Sequence, residues 1–168
     1  CFGGRGYITQ CYSTGAVHGT ECVGGLVGRN GGVVSQCYST GAVSSDDFVG
    51  GLVGHGYGIM TECGQDGGTM TQCYSTGVVS GTSFVGGLVG ENDFVWNIES
   101  CFWDTQTSGQ AESRWGGTGK TTAEMQKAKT FLDAGWDFVG ETVNGTDDLW
   151  WIDEGKDYPR LWWEAAGQ

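Results

Sequence analysis

The sequence predicts an all-β fold: a parallel β-helix, or β-solenoid, of glycine-rich repeats about 26 residues long, closed by a small tryptophan-rich α+β cap. Two recurring segments and one break in composition predict it. VGGLVG begins at Val23, Val49 and Val85, and CYSTG at Cys11, Cys37 and Cys73. Whole segments that return at a fixed period are the mark of stacked repeats. An antiparallel β-sandwich of hairpins would account for the local strand patterns, but it does not require segment identity.

Successive copies are offset by 26 and then 36 residues, and the surplus lies between Gly54 and Cys73. That insertion is itself a partial echo. GIMTEC, ending at Cys63, repeats GVVSQC ending at Cys37 and GTMTQC ending at Cys73. Within a repeat, Val33 to Ser39 is rich in β-branched and aromatic residues and reads as a strand, ended by the turn signal Thr40-Gly41. Short strands at Ala42 to Ser44 and Phe48 to Val53 complete three per coil. Stacking at about 4.8 Å per coil then builds ladders of equivalent side chains. The expected ladders are Val34 with Ile8, Met70 and Ile98; Leu26 with Leu52 and Leu88; and Cys22 with Phe48 and Phe84.

Composition shifts near residue 100. Seven of the eight tryptophans and all four lysines follow it, while glycine thins out. The expected organisation is therefore repeats over 1–100 and a cap over 101–168. In the cap, 121–134 reads as one amphipathic helix that begins at Thr121, buries Met125, Ala128 and Leu132, and stops at Gly135. WDFVG, LWWID and PRLWW read as short strands. The cap would cover the last apolar layer and its open edge.

Eight basic residues against twenty acidic ones give a net charge of −12, which opposes binding to nucleic acid or an anionic membrane. No apolar run reaches the ~18 residues of a membrane span. Seven cysteines without a CxxC pair point to an oxidising, extracellular setting. Beginning at Cys1, the sequence reads as a processed chain or an excised fragment.

Each candidate site has a plain structural alternative. GGTGKTT at Gly116–Thr122 resembles a phosphate loop, but the required first glycine falls on Arg114 and no hydrophobic strand precedes it, so it reads as a loop into a capped helix. With only His18 and His55 available, a zinc site is poorly supported. Disulfides are expected among Cys1, Cys11, Cys22, Cys37, Cys63, Cys73 and Cys101, either as Cys1–Cys11 and Cys63–Cys73 loops or between ladder neighbours, with one thiol left over. No cofactor is expected; Asp46-Asp47, Asp147-Asp148 and Asp153-Glu154 are candidate calcium ligands, read in preference as solvated turns. A glycosidase pair of carboxylates is the least favoured reading, since residues 1–100 hold no cation beyond Arg5 and Arg29 to handle acidic sugars. In Trp150-Trp151 and Trp162-Trp163, alternation along a strand would turn one indole of each pair outward, toward a sugar or a neighbouring subunit. Asn144 begins an N-glycosylation sequon.

The GGLVG segments at Gly24, Gly50 and Gly86, each coupled to CYSTG, resemble the GLUG motif. In the tail, CFWDTQTSG, TTAEM, GWDF and YPRLWW resemble the segment that closes such arrays. The resemblance implies a surface protein of bacteria or archaea, as in adhesins of the filamentous-haemagglutinin type and some immunoglobulin A peptidases, and it implies no catalytic residue. The function expected is a non-enzymatic, extracellular structural or adhesive module. Its partners would be copies of itself, joined head to tail as a filament, or adjacent repeats of a longer chain. A glycan-binding adhesin is the alternative.

Overall fold

The computed structural model describes residues 6–57, 59–61, 64–66, 68–93 and 96–165. The chain divides into two compact units, Cys1–Gly119 and Lys120–Gln168. The change in composition near residue 100 thus precedes the division in space, and segment 101–119 folds with the repeats.

The protein is mostly β, and each repeat of the first unit supplies strands to four parallel sheets. Tyr7–Thr9, Val33–Ser35, Thr69–Thr71 and Asn97–Glu99 make the first sheet. The second holds Tyr12–Ser13, Tyr38–Ser39, Tyr74–Ser75 and Phe102–Asp104, with Thr118–Lys120 added at its end. Val17–His18 and Glu21–Gly24 pair with Val43–Gly50, which pairs with Val79–Gly86. Val27–Asn30, Val53–Gly56 and Val89–Asn92 form the fourth. Residues 7–30, 33–56 and 69–92 are thus three registered tiers, and 97–104 begins a fourth.

The apolar ladders lie as the repeat spacing requires. Ile8 faces Val34, Val34 faces Met70, and Met70 faces Ile98. Leu26 N–H donates to Leu52 at 3.0 Å and Leu52 N–H to Leu88 at 2.9 Å. Leu52, Leu88, Val34 and Met70 are fully buried and share one core with Cys37, Cys73 and Cys101. Cys22, Phe48 and Phe84 stand beside the registered row Val23, Val49 and Val85.

The division of each repeat differs from the three expected strands. Val33 to Ser39 is broken at Gln36, whose φ of 55° is left-handed, as are Gln10, Gln72 and Ser100. Such a residue costs roughly 1–2 kcal/mol without glycine. Side-chain amides of Gln10, Gln36 and Gln72 bond along the ladder at 3.5 and 3.4 Å, which offsets part of that cost. A second left-handed row, Cys22, Phe48 and Phe84, lies inside the long strands, so Ala42 to Ser44 and Phe48 merge into one element. GGLVG makes the corner that follows. A Cβ on Gly50 would lie 2.1 Å from the Val53 carbonyl oxygen, and one on Gly51 2.3 Å from that of Gly87. Only glycine lets the corner fold back and the next tier seat upon it.

The insertion leaves the ladders undisturbed, because Ile59–Thr61 and Gly64–Asp66 pair as an antiparallel hairpin outside the parallel sheets. At the far end CYSTG gives way to CFWDT. Ser39 and Ser75 lie over Gly25 and Gly51, but Trp103, registered with Ser75, lies over Gly87. Trp103 Nε1 donates to Gln110 at 3.0 Å. The segment after it then meets the third tier: Gln110 Nε2 donates to Val79 O at 2.9 Å, Gly87 N–H to Glu112 O at 3.2 Å, and Val89 N–H to Ser113 Oγ at 3.1 Å. The outer side of the third tier is therefore covered by residues 105–117 of the same unit.

In the second unit the expected single helix is two short ones, Thr122–Met125 and Ala128–Leu132, separated at Lys127, which is extended. The break rotates the second helix, so Met125 and Phe131 are buried while Ala128 and Leu132 are only half-buried. Phe131, Trp136 and Trp150 pack with ring centroids 4.8 and 4.5 Å apart. LWWID supplies Trp150–Trp151 and PRLWW supplies Arg160–Leu161, an antiparallel pair. WDFVG makes only a single bridge, Phe138 to Trp150. Thr121 caps the first helix as expected: its Oγ1 accepts Glu124 N–H at 3.3 Å, and Glu124 Oε2 accepts Thr121 N–H at 2.8 Å. These bonds hold the Glu124 carboxyl below its usual range. Thr121→Ala is expected to lower stability by about 1 kcal/mol, measured by chemical denaturation of the second unit's tryptophan signal.

Candidate interaction surface

The CYSTG tyrosines form a stack. Tyr12, Tyr38 and Tyr74 lie with centroids 5.1 and 5.0 Å apart and planes within 7° and 5°. Tyr38 and Tyr74 are 4% and 1% exposed, yet Tyr12 is 40% exposed. The same contrast recurs around the first tier. Val17, Leu26 and Val27 are half-buried where Val43, Leu52 and Val53 are buried, and Cys11 is exposed where Cys37 is buried. Tyr7, at 71% exposed, adds a second ring. The outer side of the first tier is thus an apolar and aromatic surface. Sequence reasoning named neither Tyr7 nor Tyr12, although the tyrosine in every CYSTG copy was the signal.

Cys11, Cys22, Cys37, Cys73 and Cys101 are free thiols, in place of the expected disulfides. Cys1 and Cys63, and with them the two loop pairings, lie outside the described residues. Cys11, Cys37, Cys73 and Cys101 form one ladder, each preceding a registered aromatic residue of the second sheet. Each Sγ–H donates at 3.1 Å to the carbonyl two residues earlier, at Thr9, Ser35, Thr71 and Glu99. The left-handed residue between them brings that carbonyl to the sulfur. Hydrogen bonding with the Cys73 thiol, then burial, pushes Cys37 far above the usual thiol range. Burial does the same for Cys73 and, more weakly, for Cys11 and Cys22. Cys37 and Cys73 are packing thiols, held neutral and poor as nucleophiles.

One carboxylate of each acidic pair already has a partner. Asp47 Oδ1 accepts Phe48 N–H at 3.1 Å, Asp148 Oδ1 accepts Gly140 N–H at 2.9 Å, and Asp153 pairs with Lys156 at 3.2 Å. Among the described residues no group of three or more His, Cys, Asp or Glu side chains is placed to hold a metal ion. Asn144 is taken up internally: its Nδ2 donates to Leu132 O at 2.8 Å and Trp136 O at 3.1 Å. A glycan on that nitrogen would displace one of these bonds. Trp150 is fully buried and Trp151 half-buried, as strand alternation requires. Trp162 and Trp163 instead open a helix, and both are exposed, at 48% and 41%.

Residues 19–44, running from the end of the first tier through the GGLVG corner and the second CYSTG, match the family model of the GLUG motif. The chain carries a GLUG motif. A protein of Evansella cellulosilytica described as a Gly-rich membrane protein is similar to this GLUG-containing chain, 42% identical over 62 residues. That match covers 37% of this chain but 6% of the relative, so the chain corresponds to a small part of the relative's length. No solved structure matches the chain. Among the described residues no helix is long and apolar enough to cross a membrane, which leaves β-barrels aside.

Proposed function

We propose that this GLUG-containing chain is a β-solenoid module of a surface protein, with a structural or adhesive and non-enzymatic role outside the cell. One observation carries the reading: four parallel sheets receive strand segments from successive repeats, in constant register, with GGLVG at the same corner of every full tier. Each tier lends backbone hydrogen bonds and ladder contacts to the next, the construction of a stiff, protease-resistant spacer. The resemblance to GLUG surface proteins and the relative described as a membrane protein support the location. A head-to-tail filament is less well supported, because residues 105–117 already occupy the outer side of the third tier. Antibody raised against the purified chain is expected to label intact producing cells. Labelling that appears only after permeabilisation would overturn the location.

A glycan-binding role is favoured by one observation, the exposed Trp162 and Trp163. Stacking of sugars on such rings is expected to register on a glycan array and to be lost in Trp162→Ala with Trp163→Ala. Array binding unchanged in that double variant would remove the tryptophans from the account.

A further inference from the structure

Two glycines of the first tier, Gly6 and Gly15, have no local reason to be glycine. In the second tier, a Cβ on Gly41 would lie 2.0 Å from the Gly15 carbonyl oxygen, and one on Gly32 2.1 Å from that of Gly6. In the third, Gly77 stands against the Gly41 carbonyl at 1.8 Å and Gly68 against that of Gly32 at 2.4 Å. The position is glycine because the preceding tier's backbone sits on it. Gly15 and Gly6 occupy the same two positions in the first tier, and a Cβ on either would meet nothing within 4 Å.

The backbone repeats the same message. Thr40 N–H donates to Ser13 O at 3.0 Å and Asp47 N–H to Thr20 O at 3.3 Å, while Ala42 O and Ser44 O accept from Val17 and Gly19 at 2.9 and 3.1 Å. The equivalent groups in the first tier are the amides of Thr14 and Glu21 and the carbonyls of Ala16 and His18. Among the described residues no strand pairs with the first tier on that side. The side chains there, Ile8, Tyr12, Val17 and Leu26, are those that the next tier buries at Val34, Tyr38, Val43 and Leu52. In a chain of net charge −12, residues 6–31 contain one acid, Glu21, and one Arg, Arg29, so a similar tier would meet little repulsion.

We infer that the outer edge of the first tier is a docking surface for one further tier of the same repeat type, laid parallel and in register. The inference rests on the stacked-tier reading above. The occupant continues the internal tier-to-tier interface: its carbonyls seat over Gly6 and Gly15, its strands bond Thr14 and Glu21, and its tyrosine extends the ring stack. A second copy of this unit does not present such a tier, because its fourth tier is only begun by residues 97–104 and residues 105–117 lie over the rest of the third. The tier comes from a repeat array whose last edge is open.

The test duplicates residues 6–31 in tandem ahead of Gly6, in place of residues 1–5. The added repeat is expected to resist protease, to raise the thermal midpoint, and to slow amide exchange at the original Thr14 and Glu21 by about tenfold or more. Gly15→Ala in the original copy is expected to abolish all three effects, while the same change in the unduplicated protein leaves its thermal midpoint unaltered. A protease-sensitive added repeat with Thr14 and Glu21 exchanging as before would overturn the inference, as would gains that survive Gly15→Ala. Exchange at Thr40 and Asp47 separates the two levels. Slow exchange there upholds the stacked tiers even when docking fails, and fast exchange means the stack itself is wrong. The unduplicated protein is expected to sediment as a monomer at all concentrations; head-to-tail polymers would contradict the covered third tier.

Discussion

Gly51→Ala is expected to leave the first unit without a cooperative unfolding transition. The added methyl would stand 2.3 Å from the Gly87 carbonyl oxygen and 2.7 Å from Ser75 Oγ, both fixed by the third tier. Relief requires the second and third tiers to separate at the corner where Leu52 N–H bonds Leu88 O at 2.9 Å. Leu52 and Leu88 are fully buried beneath that corner, so separation also opens the core. The combined loss of packing and backbone bonding puts the cost above about 4 kcal/mol, in the range reserved for disrupted cores. Gly15→Ala is the matched control, expected to change stability by less than about 0.5 kcal/mol. Urea denaturation followed by circular dichroism compares the two. Equal midpoints would show that the corner tolerates a side chain and that the close approach is not what selects glycine.

Stability is expected to fall steeply in alkali. Cys37 and Cys73 are held neutral in the folded protein, the first by its bond with the Cys73 thiol and burial, the second by burial. Their folded pKa values are raised, whereas an unfolded thiol ionises near pH ~8.5. Above that pH the unfolded chain sheds protons that the folded chain retains, so the equilibrium moves toward unfolding as pH rises. The contribution is fully present below about pH 8.5 and is lost above it, by up to about 1.4 kcal/mol per pH unit for each thiol. Denaturation midpoints between pH 7 and 10 under reducing, anaerobic conditions measure the slope. Cys73→Ala is expected to make it shallower by at least one thiol's share, because it also removes the bond that raises Cys37. An unchanged slope would assign the alkaline loss to other groups.

The period and the inward ladders were legible because stacking demands the same side chain at the same place, and Val34, Met70, Leu52 and Leu88 supply it. The corners were less so. Gln36 and Phe48 adopt left-handed backbone that turn chemistry assigns to glycine or asparagine, and they do so with help from the equivalent residues of neighbouring tiers. A rule that looks only at neighbours in sequence has no access to that support. The covering of the third tier was hidden for a related reason: Trp103 replaces a ladder serine, and composition assigned it to the tail. In the second unit, Lys127 breaks a helix that capping and periodicity would have continued, and this moved burial from Leu132 to Phe131. The exposed ring of Tyr12 was hidden by repetition itself, since its copies Tyr38 and Tyr74 are core residues.

The hairpin between the second and third tiers shows what the scaffold permits. Extra chain enters after Gly56 and returns by Thr69, and the strands on either side still pair residue for residue. Length at this bend is thereby uncoupled from the pairing of the parallel strands. A loop grafted at this bend would lie outside the parallel sheets, whose hydrogen-bonded ranks on either side do not shift.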